Sequence, residues 1–400
     1  MKYPCALYIH FPYCLYKCHY CDFNSYALKE REIPFGSYQK ALLAEWRKRL
    51  PHFDPFPSIG SVFLGGGTPS LMPPNDVADL LGEIRRSVFF TDDVEVTLEA
   101  NPKTISAKKL ENFRQAGINR LSVGVQSLND AYLAAFGRIH SADDAREALK
   151  LVRDAAPWRG AAPWRGAGFK SWNADLMFGF PGQTLKQWES DLNEILDFGP
   201  PHLSCYSFTV EEGTIYRRQI QSGKALPPDS DLQAEMFEMT GNLLEKRGYR
   251  RYEISNFAHP GHECRHNLNY WNYGEFVGLG AGAVSFLYEG TEGSKDFGYR
   301  TTNYKEPGRY MDALKDSPIW FDREEIPRET ALAEFFMMGL RLTGGISEEI
   351  YRRLFFLDAK RPNEPLFTVF RKMGWVGEEG IYLTPKGRLF ANQIMSAFLP

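Results

Sequence analysis

Short apolar runs alternate with amphipathic stretches through the first half of the chain. Residues 6–9, 61–64, 94–99, 120–125, 173–178 and 202–210 read as strands, brief and rich in β-branched or large apolar side chains. Between them apolar positions recur at helical spacing: 38–50, a stretch opening near Pro74, 107–115 closed by Gly117, one beyond Gln126-Ser127, and one running to Leu196. Six strand-then-helix units predict an α/β fold with a parallel sheet curled by right-handed crossovers. In such sheets chemistry sits where the strands end. Each of the first five runs is followed by a polar or glycine-rich motif: the cysteine loop, Gly65-Gly66-Gly67-Thr68-Pro69, Asn101-Pro102, Gln126-Ser127 and Gly179-Phe180-Pro181-Gly182.

Beyond residue 210 the pattern loosens. Residues 250–257 and the glycine-rich 275–286 read as added strands. From 327 the chain turns helical again at 330–342, 347–355 and 366–373. A short apolar strand, 380–383, then leads through Thr384-Pro385 into a last helix to 398. Helices followed by a small β element resemble a winged-helix domain. The expected division is 1–210, 211–326 and 327–400. The segment 155–160 is repeated word for word as 161–166 and reads as a lengthened surface loop.

Composition narrows the picture. Four hundred residues, 43% of them hydrophobic, allow one barrel-sized domain and a smaller one. A net charge of −3 gives no bulk electrostatic reason to expect nucleic acid. No apolar run approaches the ~18 residues of a membrane span, although peripheral membrane contact stays open. The opening residues lack the pattern of a signal peptide, and six cysteines in this length are no disulfide framework. A reducing, cytoplasmic location is therefore expected. Aromatic residues, at 14%, are numerous enough to suit a flat apolar ligand as well as a core.

Half of those cysteines, Cys14, Cys18 and Cys21, fall within eight residues as C-x3-C-x2-C. Soft thiolates suit iron–sulfur iron, whereas a structural zinc wants four ligands and no second cysteine pair follows; a zinc site assisted by His19 is the alternative. Three cysteines on a [4Fe–4S] cluster leave one iron open to substrate or cofactor, which marks a catalytic cluster rather than a sealed electron carrier. Cys5 and Cys205, in apolar runs, read as buried inert thiols.

This loop, with its flanking Tyr-Ile-His-Phe-Pro-Tyr-Cys, resembles the signature of radical S-adenosylmethionine (SAM) proteins. More narrowly, it resembles the branch containing oxygen-independent coproporphyrinogen III dehydrogenase (HemN) and the heme chaperone HemW. The resemblance implies a partial six-strand (β/α)6 barrel holding a [4Fe–4S] cluster and SAM, supplied with electrons by a flavodoxin or ferredoxin. It assigns the SAM amino group to Gly66, Gly67 and Thr68, with Glu99 as a further acceptor. Arg138 would pair with the SAM carboxylate. Gln126 and Asp175 would take the ribose hydroxyls, Tyr8 would lie against the sulfonium and Tyr20 would cover the cluster. The implied reaction is reductive cleavage of the C5′–S bond, giving methionine and a 5′-deoxyadenosyl radical.

Two features separate the branches. HemN-type dehydrogenases carry one more cysteine two positions after the third, where this chain has Phe23. The segment Cys264-Arg265-His266-Asn267-Leu268-Asn269-Tyr270-Trp271 contains H-N-x-x-Y-W, which resembles the heme-binding motif of the chaperones. There His266 is the first candidate axial ligand and Cys264 the second, with Tyr270 and Trp271 flanking a porphyrin face. The expected function is heme binding and delivery to an acceptor hemoprotein. The alternatives are coproporphyrinogen III dehydrogenase and a radical SAM methyltransferase or heme-modifying enzyme.

Overall fold

The computed structural model of the chain describes residues 4–52, 58–155, 169–289, 296–316, 321–356 and 360–399. Apart from Ala155, the duplicated segment lies outside the described residues. Twelve strands form one sheet: β1 (Cys5–Phe11), β2 (Ile59–Gly66), β3 (Phe90–Ala100), β4 (Arg120–Gln126), β5 (Ser171–Phe178), β6 (His202–Ser207), β7 (Arg250–Arg251), β8 (Asn256–Ala258), β9 (Phe276–Leu279), β10 (Val284–Tyr288), β11 (Asp296–Asn303) and β12 (Phe321–Pro327). Their spatial order is β12-β11-β10-β9-β1-β2-β3-β4-β5-β6-β8-β7, an open sheet with different strands at its two ends.

The six expected parallel strands are present and lie side by side in sequence order. A seventh joins them, because β9 pairs parallel to β1 on its other side. The expected single strand 275–286 is therefore two, β9 and β10, which reverse direction at Gly280 and Gly282. Both glycines have positive φ, and a Cβ on Gly280 would lie 2.4 Å from His10 O. The run 250–257 is likewise a hairpin of two short strands, β7 and β8.

Side chains alternate along the central strands, and the alternation sorts them by chemistry. In β4, Leu121, Val123 and Val125 enter the apolar core while Arg120, Ser122 and Gln126 line a cavity on the other face. In β5, Trp172, Ala174 and Leu176 are core, and Asn173 and Asp175 face the cavity. In β6, Leu203 and Cys205 are core, and His202 and Ser204 face the cavity. Helices cover the apolar face. The helix Leu185–Asp197 starts at Thr184 in a capping box with Gln187 and buries Trp188, Leu192 and Ile195 at helical spacing. Cys5 and Cys205 are both buried.

The C-terminal region is mainly helical. Its helices Arg328–Gly339, Glu348–Phe355 and Lys360–Lys372 share an apolar cluster with Phe286, Phe297 and Ile326 of the added strands. The expected strand at 380–383 is only an isolated bridge between Val376 and Leu383, and the last helix is broken at Phe390. Among the described residues no helix is long and apolar enough to cross a membrane.

The junction of β9 with β1 is held by a buried charged network. Glu45, in the helix Phe35–Arg49, accepts hydrogen bonds from Arg49 Nε (2.8 Å), Asn303 Nδ2 (2.8 Å), Gly280 N (2.8 Å) and Tyr310 OH (2.6 Å). Removing Glu45 takes away the shared acceptor of Arg49 Nε, Asn303 Nδ2, Gly280 N and Tyr310 OH in a buried setting. Glu45→Ala is therefore expected to cost about 3–5 kcal/mol, read as a lowered urea midpoint; an unmoved midpoint would show that the network contributes nothing net.

Candidate functional site

The cysteine loop is cinched at its base. Tyr13–Cys14 pairs with Tyr26–Ala27, and Tyr26 N donates to Pro12 O at 2.7 Å. Its outer part is anchored to two distant segments, His19 N donating to Phe136 O and Tyr216 N to His19 O, both at 2.8 Å. The His19 ring is occupied as well, Nδ1 at 3.0 Å from Ala135 O and Nε2 at 3.2 Å from Tyr16 OH. That imidazole therefore serves the loop's architecture rather than the zinc site weighed from sequence. All three thiols line one cavity of about 530 Å³.

The glycine motif after β2 lies against this loop. Gly67 N donates to Phe11 O (2.7 Å) and Thr68 N to Tyr13 O (2.9 Å). A Cβ on Gly67 would sit 2.6 Å from Tyr13 O, so the approach requires glycine. Gly66 N donates to Glu99 Oε2 at 3.1 Å. The motif's amides are thus spent inside the protein, and what this corner offers a ligand is acceptor oxygen, which suits an ammonium.

Glu99 and Asp175 face the same space. Burial, and then the Asp175 charge, push the Glu99 carboxyl up to about 8 against the opposing Gly66 amide. Asp175 is raised by burial too, while Ser122 Oγ (2.8 Å) and Asn173 Nδ2 (2.7 Å) donate to its two oxygens. Gln126 closes β4 at φ 70°, strained for a residue with a side chain, and lines the cavity. Arg138 donates from Nη2 to Gly124 O (2.7 Å) and from Nη1 to Cys18 Sγ (3.5 Å); its buried Nε has no partner among the described residues. Tyr20 borders the same cavity and packs edge-on to Phe136. Tyr8 OH is 3.0 Å from His10 Nδ1, and its ring stacks on Phe63.

The H-N-x-x-Y-W segment forms the helix Arg265–Trp271, which contacts β2 and β1. Its anchors lie toward the starts of the strands, away from the cysteine loop. His266, only 1% exposed, has Nδ1 3.0 Å from Ser61 Oγ and Nε2 2.9 Å from Tyr270 OH, and stacks on Phe63. Burial lowers its pKa to about 3, so the ring is neutral. Cys264 Sγ donates to Glu95 Oε1 at 3.5 Å, and burial pushes the thiol up to about 12. His266, Cys264 and Tyr270 line the same cavity as the three cluster candidates. Trp271 does not join them: the Arg341 guanidinium lies over its ring at 4.4 Å, and Arg341 pairs with the buried Glu253. Trp271 thus fastens the C-terminal region rather than flanking the space beside His266.

Sequence reasoning missed the polar floor of this cavity. Arg120 pairs with Glu95 at 3.7 Å, and His202 Nε2 lies 2.9 Å from Tyr252 OH, to which Cys264 N donates. The signal was present as Arg and Ser alternating with Leu and Val in β4, and as His and Ser alternating with Leu and Cys in β6.

Residues 8–195 match the radical SAM superfamily model. The heme chaperone HemW of Haemophilus influenzae is 34% identical over 99% of this chain and 98% of its own length; that of Bacillus subtilis is 34% identical over 98% and 99%. The chain belongs to the HemW family of radical SAM proteins. A mouse relative, radical S-adenosyl methionine domain-containing protein 1, is 41% identical over 72% of this chain and 62% of its own. The solved structure of Escherichia coli coproporphyrinogen III oxidase (HemN) superposes with a TM-score of 0.79 over 99% of this chain and 90% of its own, at 23% identity, and so shares the fold.

The donor set fits the cofactor expected of a radical SAM protein. Among the described residues no three His, Cys, Asp or Glu side chains converge on a single metal ion. Three thiols lining one cavity suit a cluster in which each takes a different iron.

The raised Glu99 carboxyl has a consequence for stability. Between the ordinary carboxyl range and about pH 8 the folded chain holds a proton there that the unfolded chain has lost, so its contribution falls as pH rises through that window. The melting-temperature advantage of Glu99→Gln over wild type should widen from pH 5 to about pH 8 and then level off. A gap independent of pH would contradict the assignment.

Proposed function

We propose that this chain is a radical SAM heme chaperone. It would hold a [4Fe–4S] cluster on Cys14, Cys18 and Cys21, bind SAM beside it, and carry heme to an acceptor hemoprotein. The observation that carries this reading is that three thiols, the Glu99 carboxyl, the Arg138 guanidinium and His266 all line one cavity. Full-length similarity to HemW supports the heme part. The division of labour follows the chain, with cluster and SAM in 1–210, the heme motif in 211–326 and a helical cover in 327–400. We place it in the cytoplasm, with electrons from a low-potential donor such as a flavodoxin or ferredoxin.

Together the cluster and SAM supply reductive radical chemistry when bound. The chain's own residues bind and orient. Glu99, its proton released to solvent, would face the methionine ammonium as a carboxylate, and the buried Arg138 would pair with the carboxylate. Asp175 retains lone pairs beyond those used by Ser122 and Asn173, enough for a ribose hydroxyl alongside Gln126. Tyr8 and Tyr20 close the cavity walls and exclude water. His266 would hold the heme iron through Nε2 once Tyr270 OH had released that nitrogen, with Cys264 as the second candidate. Space adds a constraint: about 530 Å³ accommodates one drug-sized ligand.

Two measurements test this. Heme titration of the cluster-loaded chain should give stoichiometric Soret absorbance that passes to an apo-hemoprotein, with no protoporphyrinogen formed from coproporphyrinogen III. Decarboxylating turnover would instead establish the dehydrogenase reading. Among variants, His266→Ala should weaken heme binding about tenfold or more, a loss of ~1.4 kcal/mol, while Tyr270→Phe should strengthen it by freeing Nε2. Equal weakening by both would remove His266 as the ligand.

A further inference from the structure

Each thiol assigned to the cluster meets a hydrogen-bonding group, and the three groups come from separate places. Thr68 Oγ1 donates to Cys14 Sγ at 3.4 Å, from the turn after β2. Arg138 Nη1 donates to Cys18 Sγ at 3.5 Å, from beyond the helix Asp130–Ala135. Ser25 Oγ lies 3.9 Å from Cys21 Sγ, within the loop's own return. A thiolate bound to iron has no proton to give, so in that last pair the serine hydroxyl must donate.

The Thr68 hydroxyl is not explained by local structure. Thr68 occupies the N-cap position of the short turn Pro69–Leu71, where threonine ordinarily turns its oxygen back to the chain, yet no side-chain cap bond forms. Its oxygen points to sulfur instead. The backbone holds it there, through the Thr68 N bond to Tyr13 O and the close approach at Gly67. Ser25 is buried, and Tyr26 N beside it is tied to Pro12 O, so this hydroxyl too is carried on a fixed frame.

We propose that Thr68 and Ser25 are positioning residues that raise the reduction potential of the cluster, with Arg138 adding a third donor and a positive charge. Reduction adds one electron, supplied by a low-potential reductant, and places more negative charge on the iron-bound sulfurs. A donor aimed at sulfur stabilises that charge more than it stabilises the oxidised form. This rests on the cluster reading above. It extends that reading by giving Thr68 a side-chain role toward the cluster in addition to its expected place beside SAM.

The test is an anaerobic redox titration of the cluster-loaded chain with dithionite, followed by electron paramagnetic resonance. Thr68→Val keeps the branched shape and removes the donor; its midpoint should fall below wild type at unchanged iron content. Thr68→Ser should restore it. Ser25→Ala should lower the midpoint by less, matching its longer contact. If Thr68→Val takes up no cluster, the other two variants decide: a wild-type midpoint in Thr68→Ser with a lowered one in Ser25→Ala supports the proposal. Midpoints unmoved in every cluster-bearing variant lacking a donor overturn it while leaving the cluster reading intact. A wild-type chain without a cluster overturns both.

Discussion

Successive residues of a β-strand point to opposite faces, and here that rule separates an oily outside from a polar inside. Leu121, Val123 and Val125 pack beneath helices, while Arg120, Ser122 and Gln126 of the same strand face the cavity. A closed eight-stranded barrel fills its interior with branched apolar side chains. This open sheet keeps polar groups there, and each buried one must find a partner or face a ligand. The pairs Arg120–Glu95, Asp175–Ser122 and His266–Ser61 meet part of that demand. Glu99, held neutral by its surroundings, and Arg138, with an unpartnered Nε, meet it only in part. These two groups face the space where a zwitterionic ligand would satisfy both.

The two ends of the cavity are closed by different means. At the strand ends, backbone hydrogen bonds zip the glycine motif to the cysteine loop, so thiols and ligand corner are fixed relative to one another by main chain. At the other end the helix Arg265–Trp271 acts as a plug. Glu95 holds its first residues, Ser61 holds His266, and Trp271 under Arg341 ties it to the C-terminal region. The helix Arg265–Trp271 thus adds one contact to the C-terminal helices, which also pack directly on Phe286, Phe297 and Ile326 of the sheet.

Much of this was legible in the sequence because it depends on local pattern. Strand period, glycine before a turn and clustered cysteines each leave a mark within a few residues, so the six parallel strands and the strand-end positions of Glu99 and Gln126 followed directly, whereas Arg138, beyond the helix Asp130–Ala135, came only with the family resemblance. What the sequence hid depends on pairing between distant segments. Nothing in 275–286 says that its first half runs parallel to β1, or that Gly280 must turn there because His10 O and Tyr38 OH occupy the space. Likewise Tyr270 and Trp271 are adjacent in sequence yet face different neighbours, because one helical step rotates a side chain by about 100°. The use of the Gly67 and Thr68 amides within the protein was equally invisible, since their partners Phe11 O and Tyr13 O belong to another strand's exit.

The central claim is that the three thiols lining this cavity hold a cluster with an iron open to SAM. Anaerobic reconstitution with iron and sulfide, followed by electron paramagnetic resonance of the dithionite-reduced protein with and without SAM, tests it most directly. The account predicts one [4Fe–4S] signal per chain that changes shape when SAM is added and is lost in Cys18→Ala. A chain that takes up no cluster, or one whose signal ignores both SAM and the loss of Cys18, would contradict it.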